Sequence, residues 1–309
     1  MFPPHQQYIT PVTFSPSDFV YHRRQGSISS LLWSLWLRFP PSIRLSCYRL
    51  LWRIAEWHHP RVALRVIRLP FNLYGKDGYG VSVAEAIATQ FVSENTTIPV
   101  PHILDVISSG PKDRSSPSMQ RNFVLSTAIP GIMFGRSGVS ADHLTEEKAS
   151  VFVDTLRGWF DQLRALPPPS HAISGVNGAS FFSYRIDSGE VVGPFASQEE
   201  FHAQYFCTPW EPLDDRIRAA LVKRQSTEYR ICFTHGDITP TNILVDNQIR
   251  PVGLVDWECA AWMPEYWEYT RAIYIRQSYK GWWNLFRRIF PDYDDELDVE
   301  AAIWKHYVP

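Results

Sequence analysis

The sequence predicts an α+β fold in two lobes, a small mixed lobe followed by a larger, mainly helical one. Three observations carry this expectation. The chain has 309 residues, 45% of them hydrophobic, which is enough for two cores rather than one. Short β-like runs cluster between Val62 and Ile129 around a single helical stretch. Beyond Pro130, helical patterns dominate and are interrupted by a group of short apolar runs between Ile231 and Glu258.

Taken in order, residues 1–61 read as an N-terminal arm and helices packed on the body. The first 27 are polar and punctuated by Pro3, Pro4, Pro11 and Pro16. Two aromatic-rich helical stretches follow, SISSLLWSLWLRF and IRLSCYRLLWRIAEW, split by Pro40 and Pro41. The second carries Ile43, Cys47, Leu50, Leu51 and Ile54 at helical spacing, with Arg44, Arg49 and Arg53 between them. That stripe is expected to pack inward while the arginines snorkel to water; a membrane surface is the competing fit.

Residues 62–129 form the small lobe. VALRVIRL and FNLY read as strands, and residues 82–94 as a helix capped by Ser82, with Val83, Ala86, Ile87, Gln90 and Phe91 on one face. HILDVI and NFVLSTAI are two further strands around the polar loop SSGPKDRSSPSMQR. Residues 130–309 form the large lobe. A helix is predicted over 145–166, with Thr145 as cap and Glu146 and Glu147 in its first turn, where the helix dipole favours negative charge. Residues 168–200 read as loop, 198–206 and 213–225 as helices, and the aromatic-rich remainder as helical. The acidic run DYDDELDVE reads as a solvated, charged face.

Composition excludes some roles. A net charge of -2 gives no global basic field, so no nucleic-acid partner is expected. Cys47, Cys207, Cys232 and Cys259 lie far apart with no metal-ligand spacing, and are expected as buried free thiols in a reducing compartment. No apolar run reaches the ~18 residues of a membrane span. The start, MFPPHQQYIT, lacks a secretory pattern. A soluble, cytoplasmic protein is expected, with its oligomeric state open.

The chemistry concentrates in FTHGDITPTNILVDNQIRPVGLVDWE. Asp237 lies in a turn after the run ICF, Asn242 opens the next run, and Asp256 closes VGLV. If NILV and VGLV pair as a hairpin, Asn242 and Asp256 stand at its neighbouring mouths while Asp237 approaches from the preceding loop. Three oxygen-bearing side chains without thiolates suit Mg²⁺, a hard ion that takes a few protein oxygens plus substrate phosphates. The spacing Asp-x-x-x-x-Asn with a later Asp equals that of the kinase catalytic loop, which phosphoryl transfer uses to accept a proton and hold the metal.

HGDITPTNIL followed by VDWE resembles the aminoglycoside phosphotransferase-like family, which has a protein-kinase-like fold. RLPFNLYGK, EAIATQFV, TIPVPHILDV, GPFASQEEF and PEYWEY resemble a fungal branch of it, so the similarity spans about Val62 to Ala272. The resemblance implies ATP as donor, Mg²⁺, and a hydroxyl or amine of a small molecule as acceptor. By position it makes Asp237 the catalytic base and Asn242 and Asp256 the metal ligands. His235 would brace the loop, and Glu258 would orient neighbouring groups. In the small lobe it makes Lys76 the phosphate-binding lysine, paired with Glu85. Ser126 to Gly131 would be the hinge, where the backbone of Thr127, Ala128 and Ile129 meets adenine.

One feature departs from the family's pattern: no Gly-rich phosphate loop stands just before Lys76, and GKDGYG lies on its far side. A catalytically weak or inactive nucleotide- or ligand-binding protein is therefore the alternative. A metal-dependent hydrolase on His235, Asp237 and Asp256 would need further ligands; His58 and His59 are adjacent on a helix and diverge. Glu265, Glu268, Trp262, Tyr266 and Trp267 are acceptor-site candidates that read better as core and structural residues.

Overall fold

The computed structural model describes residues 19, 28–58, 63–109, 121–205, 214–274, 279–291 and 293–305. Within it the chain divides into two compact units. The smaller runs up to Glu94 and takes in Val100–Ile129; the larger holds Asn95–Pro99 and everything from Pro130. The expected arm lies outside the described residues apart from Phe19, as do the tip of the expected 110–120 loop, His59 and Cys207.

The small unit opens with helices α1 (Ile28–Trp36) and α2 (Pro41–His58). Strands β1 (Val66–Leu69) and β2 (Leu73–Tyr79) follow, then α3 (Val83–Asn95), β3 (Ile103–Ser109) and β4 (Arg121–Thr127). The strands form an antiparallel sheet in the order β1-β2-β4-β3. Its core joins Leu45, Tyr48 and Ala55 of α2 to Ile67, Leu69, Ile107, Phe123 and Leu125 of the sheet. Ser82 caps α3, its hydroxyl accepting the N–H of Ala84 at 3.1 Å.

Two sequence expectations change here. GKDGYG was expected after the strand, yet β2 runs through it to Tyr79. Gly75 belongs inside that strand because a Cβ there would press on Trp52, Leu69 and Phe123, each at 3.3 Å. The second change concerns α2. The stripe of Ile43, Cys47, Leu50 and Ile54 faces solvent, and the buried face holds Arg44, Leu45, Tyr48 and Ala55. The helix is apolar on two sides, so periodicity alone could not choose between them. A buried polar cluster chooses: Arg44 Nη1 donates to Asp105 Oδ2 of β3 at 2.5 Å, and the Tyr48 hydroxyl donates to the same oxygen at 2.9 Å. Burial, the Asp105 charge and its hydrogen bond push the Tyr48 phenol well above its ordinary pKa.

The large unit begins with β5 (Ile132–Met133) and α4 (Glu146–Ala165). Thr145 caps α4, and the helix buries Ala149, Phe152, Val153, Leu156, Trp159, Phe160 and Leu163 at three- and four-residue steps. The expected loop 168–200 contains a hairpin, β6 (Phe181–Ser183) and β7 (Asp187–Val192). Helices α5 (Gln198–Tyr205) and α6 (Asp215–Ser226) precede β8 (Ile231–Thr234), β9 (Ile243–Val245), β10 (Pro251–Leu254) and β11 (Ala261–Pro264). These make two small sheets, β10-β9-β5 and β11-β8. Helices α7 (Trp267–Tyr274), α8 (Lys280–Ile289) and α9 (Asp294–Lys305) complete the unit.

The acidic run is not simply solvated. It forms α9, whose Glu296 and Glu300 are buried. Glu300 Oε1 accepts from Arg224 at 2.9 Å and Oε2 pairs with Arg185, while Glu296 accepts from the Tyr229 hydroxyl at 2.5 Å. Buried carboxylates survive because each meets a donor. The thiols also differ from expectation: Cys232 and Cys259 are buried, but Cys47 is exposed.

Candidate active site

In the large unit, β8 ends at Thr234 and delivers His235, Gly236 and Asp237 into a tight loop. Gly236 is required there. Its φ is 76°, and a Cβ would lie 2.3 Å from the Cys259 carbonyl oxygen. Glu268 of α7 ties this loop down, accepting the N–H of His235 at 2.5 Å and that of Gly236 at 3.2 Å. Burial raises the Glu268 pKa to about 7 against the pull of those two amides.

His235 is fully buried and both ring nitrogens are engaged. Nδ1 accepts the Asp237 N–H at 3.3 Å and Nε2 donates to the Val255 carbonyl at 3.0 Å. That pattern needs the neutral Nε2–H tautomer, and burial lowers the imidazole pKa accordingly. The side chain spans from the His-Gly-Asp loop to the strand end before Asp256.

The β9–β10 hairpin forms as the sequence suggested. Ile243 pairs with Leu254, and the Val255 N–H donates to the Asn242 carbonyl at 3.1 Å. Asn242 and Asp256 therefore flank the open end of one hairpin. Asn242 Nδ2 donates to the Asp237 carbonyl at 2.8 Å and to its Oδ2 at 3.2 Å, which leaves the amide oxygen turned from that pair. Asp256 is half-buried with φ 71° and ψ 63°, a left-handed conformation that Asp tolerates better than most residues other than glycine. Asp237 and Asn242 are in direct contact. Glu258 is reached by the Tyr184 hydroxyl at 2.6 Å, from the hairpin that sequence reading took for a loop.

Sequence reading missed Arg271. From α7 it donates to Asp237 Oδ1 through both Nε, at 3.2 Å, and Nη2. Its only sequence signal is its position three residues after Glu268, which puts both charged groups on one face of the helix. The acceptor-site candidates read as core, as expected: Trp262, Tyr266, Trp267 and Glu268 are buried. Glu265 is held by Arg164, whose Nη1 donates to its carbonyl at 2.8 Å and Nη2 to its carboxylate at 3.2 Å.

In the small unit, Lys76 sits in the middle of β2 and its Nζ meets Glu85 Oε1 of α3 at 2.5 Å. The connection before it, between Leu69 and Leu73, turns through Phe71 and Asn72, both at positive φ, and contains no glycine. In the segment expected to be the hinge, the Thr127 N–H donates to the His102 carbonyl at 2.9 Å and the Ala128 N–H to the Asn72 carbonyl at 2.7 Å. Those two amides are committed within the unit.

Residues 84–301 match the family described as APH, phosphotransferase enzyme family. The chain belongs to this family. No curated protein sequence matches it. Among solved structures it is similar to aminoglycoside phosphotransferase APH(4)-Ia, crystallised with ADP and hygromycin B. Identity there is 15%, with 77% of this chain and 78% of that one covered and a TM-score of 0.48. Macrolide 2'-phosphotransferase MphH from Brachybacterium faecium gives 14% identity, 83% and 88% coverage and a TM-score of 0.43. Choline kinase LicA from Streptococcus pneumoniae gives 11% identity, 81% and 82% coverage and a TM-score of 0.38. Membership makes this chain a phosphotransferase-family protein. Among its described residues no helix is long and apolar enough to cross a membrane.

Proposed function

We propose that this phosphotransferase-family protein is an ATP- and Mg²⁺-dependent small-molecule kinase. It would transfer the γ-phosphate to a hydroxyl or amine. The observation that carries the reading is the Asp237 carboxylate, oriented on one oxygen by Arg271 and on the other by Asn242, in the His-Gly-Asp loop of the family-matched segment.

In this reading Asp237 accepts the proton of the acceptor group as its oxygen or nitrogen forms a bond to the γ-phosphorus. The bond from that phosphorus to the bridging oxygen breaks, and ADP leaves with the electron pair. Phosphoryl transfer has a loose transition state, so positioning matters more than covalent chemistry. Arg271 and Asn242 supply that positioning. His235 and Glu268 hold the loop backbone, so the Asp237 main chain is fixed as well.

The oxygen donors of Asn242 and Asp256 fit a hard divalent cation, and the imidazole nearby, His235, is committed at both ring nitrogens to the Asp237 N–H and the Val255 carbonyl. Those two residues would hold Mg²⁺, which when bound neutralises charge on the phosphates. Lys76, fixed by Glu85, would bind the α- and β-phosphates, and the Thr127–Ile129 backbone would meet the adenine. Since the Thr127 and Ala128 amides already donate elsewhere, we assign their part to carbonyl groups rather than N–H donors.

One observation favours a second reading, a nucleotide-binding protein with weak or no transfer. The turn before Lys76 has no glycine to bring backbone amides onto the phosphates. Titration calorimetry of the full chain with Mg–ATP, followed by a labelled-ATP screen of hydroxyl and amine acceptors, separates the two. Binding with transfer supports the kinase, and binding without transfer to any acceptor supports the second reading. An absence of binding to Mg–ATP at millimolar concentration overturns both.

A further inference from the structure

The α1–α2 pair carries large apolar side chains that stay exposed beside its packed face. Its inner face is consumed by the small unit's sheet, with Trp33, Trp36, Leu51 and Trp52 packed beside Leu45, Tyr48 and Ala55. On the outer side of α2, Ile43, Cys47, Leu50, Ile54 and Trp57 recur at steps of three and four, which makes one continuous stripe. The stripe is open to solvent: Leu50 is 59% and Trp57 88% exposed. On α1, Leu31 and Leu32 are 66% and 63% exposed and Leu35 joins them. α1 contains no charged residue at all. A scattered exposed leucine needs no explanation, but a stripe of large apolar side chains along a whole helix, with three more exposed leucines on the helix before it, marks a binding surface.

The charges around this face select what covers it. The chain as a whole carries -2, yet between Leu31 and His58 there are four arginines and one acid. Arg44 is consumed internally by Asp105. Arg38 and Arg53 are exposed, and Arg49 lies 3.7 Å from Asp77. The acid, Glu56, accepts a hydrogen bond from the Trp52 indole at 3.0 Å. The rim is therefore cationic. A second copy of the chain would bring an equally cationic rim to a two-fold contact, because the same patch of both copies meets there. A dense anionic layer over an apolar interior satisfies both features at once: the leucines, isoleucine and Trp57 enter the headgroup boundary while Arg38 and Arg53 meet phosphate and carboxylate groups.

We propose that the outer face of α1–α2 is a peripheral docking surface for an anionic lipid bilayer. The helices lie on such a surface and do not cross it. The docking is independent of the phosphotransfer chemistry, because none of its residues belongs to the candidate active site.

The test is co-sedimentation of the full chain with vesicles of phosphatidylcholine alone and of an equimolar mixture with phosphatidylserine. The chain is expected to pellet with the mixed vesicles, to remain soluble with phosphatidylcholine alone, and to be released by high salt. The double variant Leu32→Glu with Leu50→Glu is expected to lose binding by tenfold or more, on the order of removing two interfacial anchors. Arg38→Glu with Arg53→Glu is expected to lose about tenfold or more through charge. All four side chains are exposed, so thermal unfolding of both variants should match the parent. Three outcomes overturn the proposal: no pelleting with the mixed vesicles, pelleting that both variants leave intact, or a soluble dimer that Leu50→Glu dissociates.

Discussion

Two buried arginine–aspartate pairs, one in each unit, are built from the same groups and do different work. In the small unit Arg44 and Asp105 lie between a helix and a sheet, and the Asp105 side chain has 0% exposure. In the large unit Arg271 and Asp237 lie between a helix and a loop, and 12% of the Asp237 side chain remains exposed. The first pair is closed by a tyrosine hydroxyl that shares the same carboxylate oxygen, and by the Trp36 indole that donates to that tyrosine at 2.5 Å. The second has Arg271 Nη1 with no hydrogen-bond partner among the described residues, and its carboxylate is kept within reach of solvent. A sealed pair is suited to fixing which face of α2 packs. A pair with an open edge is suited to meeting a substrate proton. Burial of an ion pair is thus no guide to its role until the remaining valences of each group are followed.

That contrast can be broken by exchanging the consequences. Asp237→Ala is expected to reduce phosphate transfer by 10³-fold or more, on the scale of a lost general base with its orientation, while the small unit stays folded. Steady-state transfer and thermal unfolding, measured side by side, check this; undiminished transfer removes Asp237 from the mechanism. Asp105→Ala should do the reverse. It strands Arg44 and is expected to cost about 3–5 kcal/mol of stability, read from denaturant midpoints. A loss of turnover in protein that remains folded would mean that the sealed pair is more than structural.

Arg271→Lys tests positioning more gently. A lysine keeps the charge but loses the two-donor fork, and kcat is expected to fall about 10- to 100-fold with little change in KM. A fall confined to KM would instead place Arg271 in acceptor binding. A pH-dependent effect on stability concerns Glu268. Its folded pKa of about 7 lies above the ordinary 4.5, so the folded state binds more protons between those values. Stability from this group is therefore lost as pH rises from 4.5 to 7, by at most about 3 kcal/mol. His235 works in the opposite direction, since its neutral buried form is favoured as pH rises. Glu268→Gln keeps an acceptor oxygen but cannot titrate. Subtracting its stability–pH curve from that of the parent isolates the glutamate, and a difference that rises or stays flat across that window would falsify the assignment.

Much of the local structure was legible because it rests on short-range physics. The cap at Thr145, the span of α4, the cap at Ser82 and the β9–β10 hairpin each follow from a few adjacent residues. The spacing of Asp237 and Asn242 was legible for the same reason. What escaped was whatever depended on a distant partner. The β6–β7 hairpin lies in a segment rich in turn residues, with a register shift between Phe182 and Ser183 that hides strand alternation. The burial of Glu300 depends on Arg185 and Arg224, which are 115 and 76 residues away.

The sequence by itself determined the family, the helix and strand periods, and the loop that brings an aspartate and an asparagine into contact. Those are consequences of spacing along one chain. The tertiary structure decided which of two apolar faces α2 buries and which arginine holds which aspartate. Both choices turn on side chains brought together across long separations, where one buried carboxylate must find a donor and periodicity is silent. The same choice that buried Arg44 turned the stripe from Ile43 to Trp57 outward, and so made a surface of what the sequence read as core.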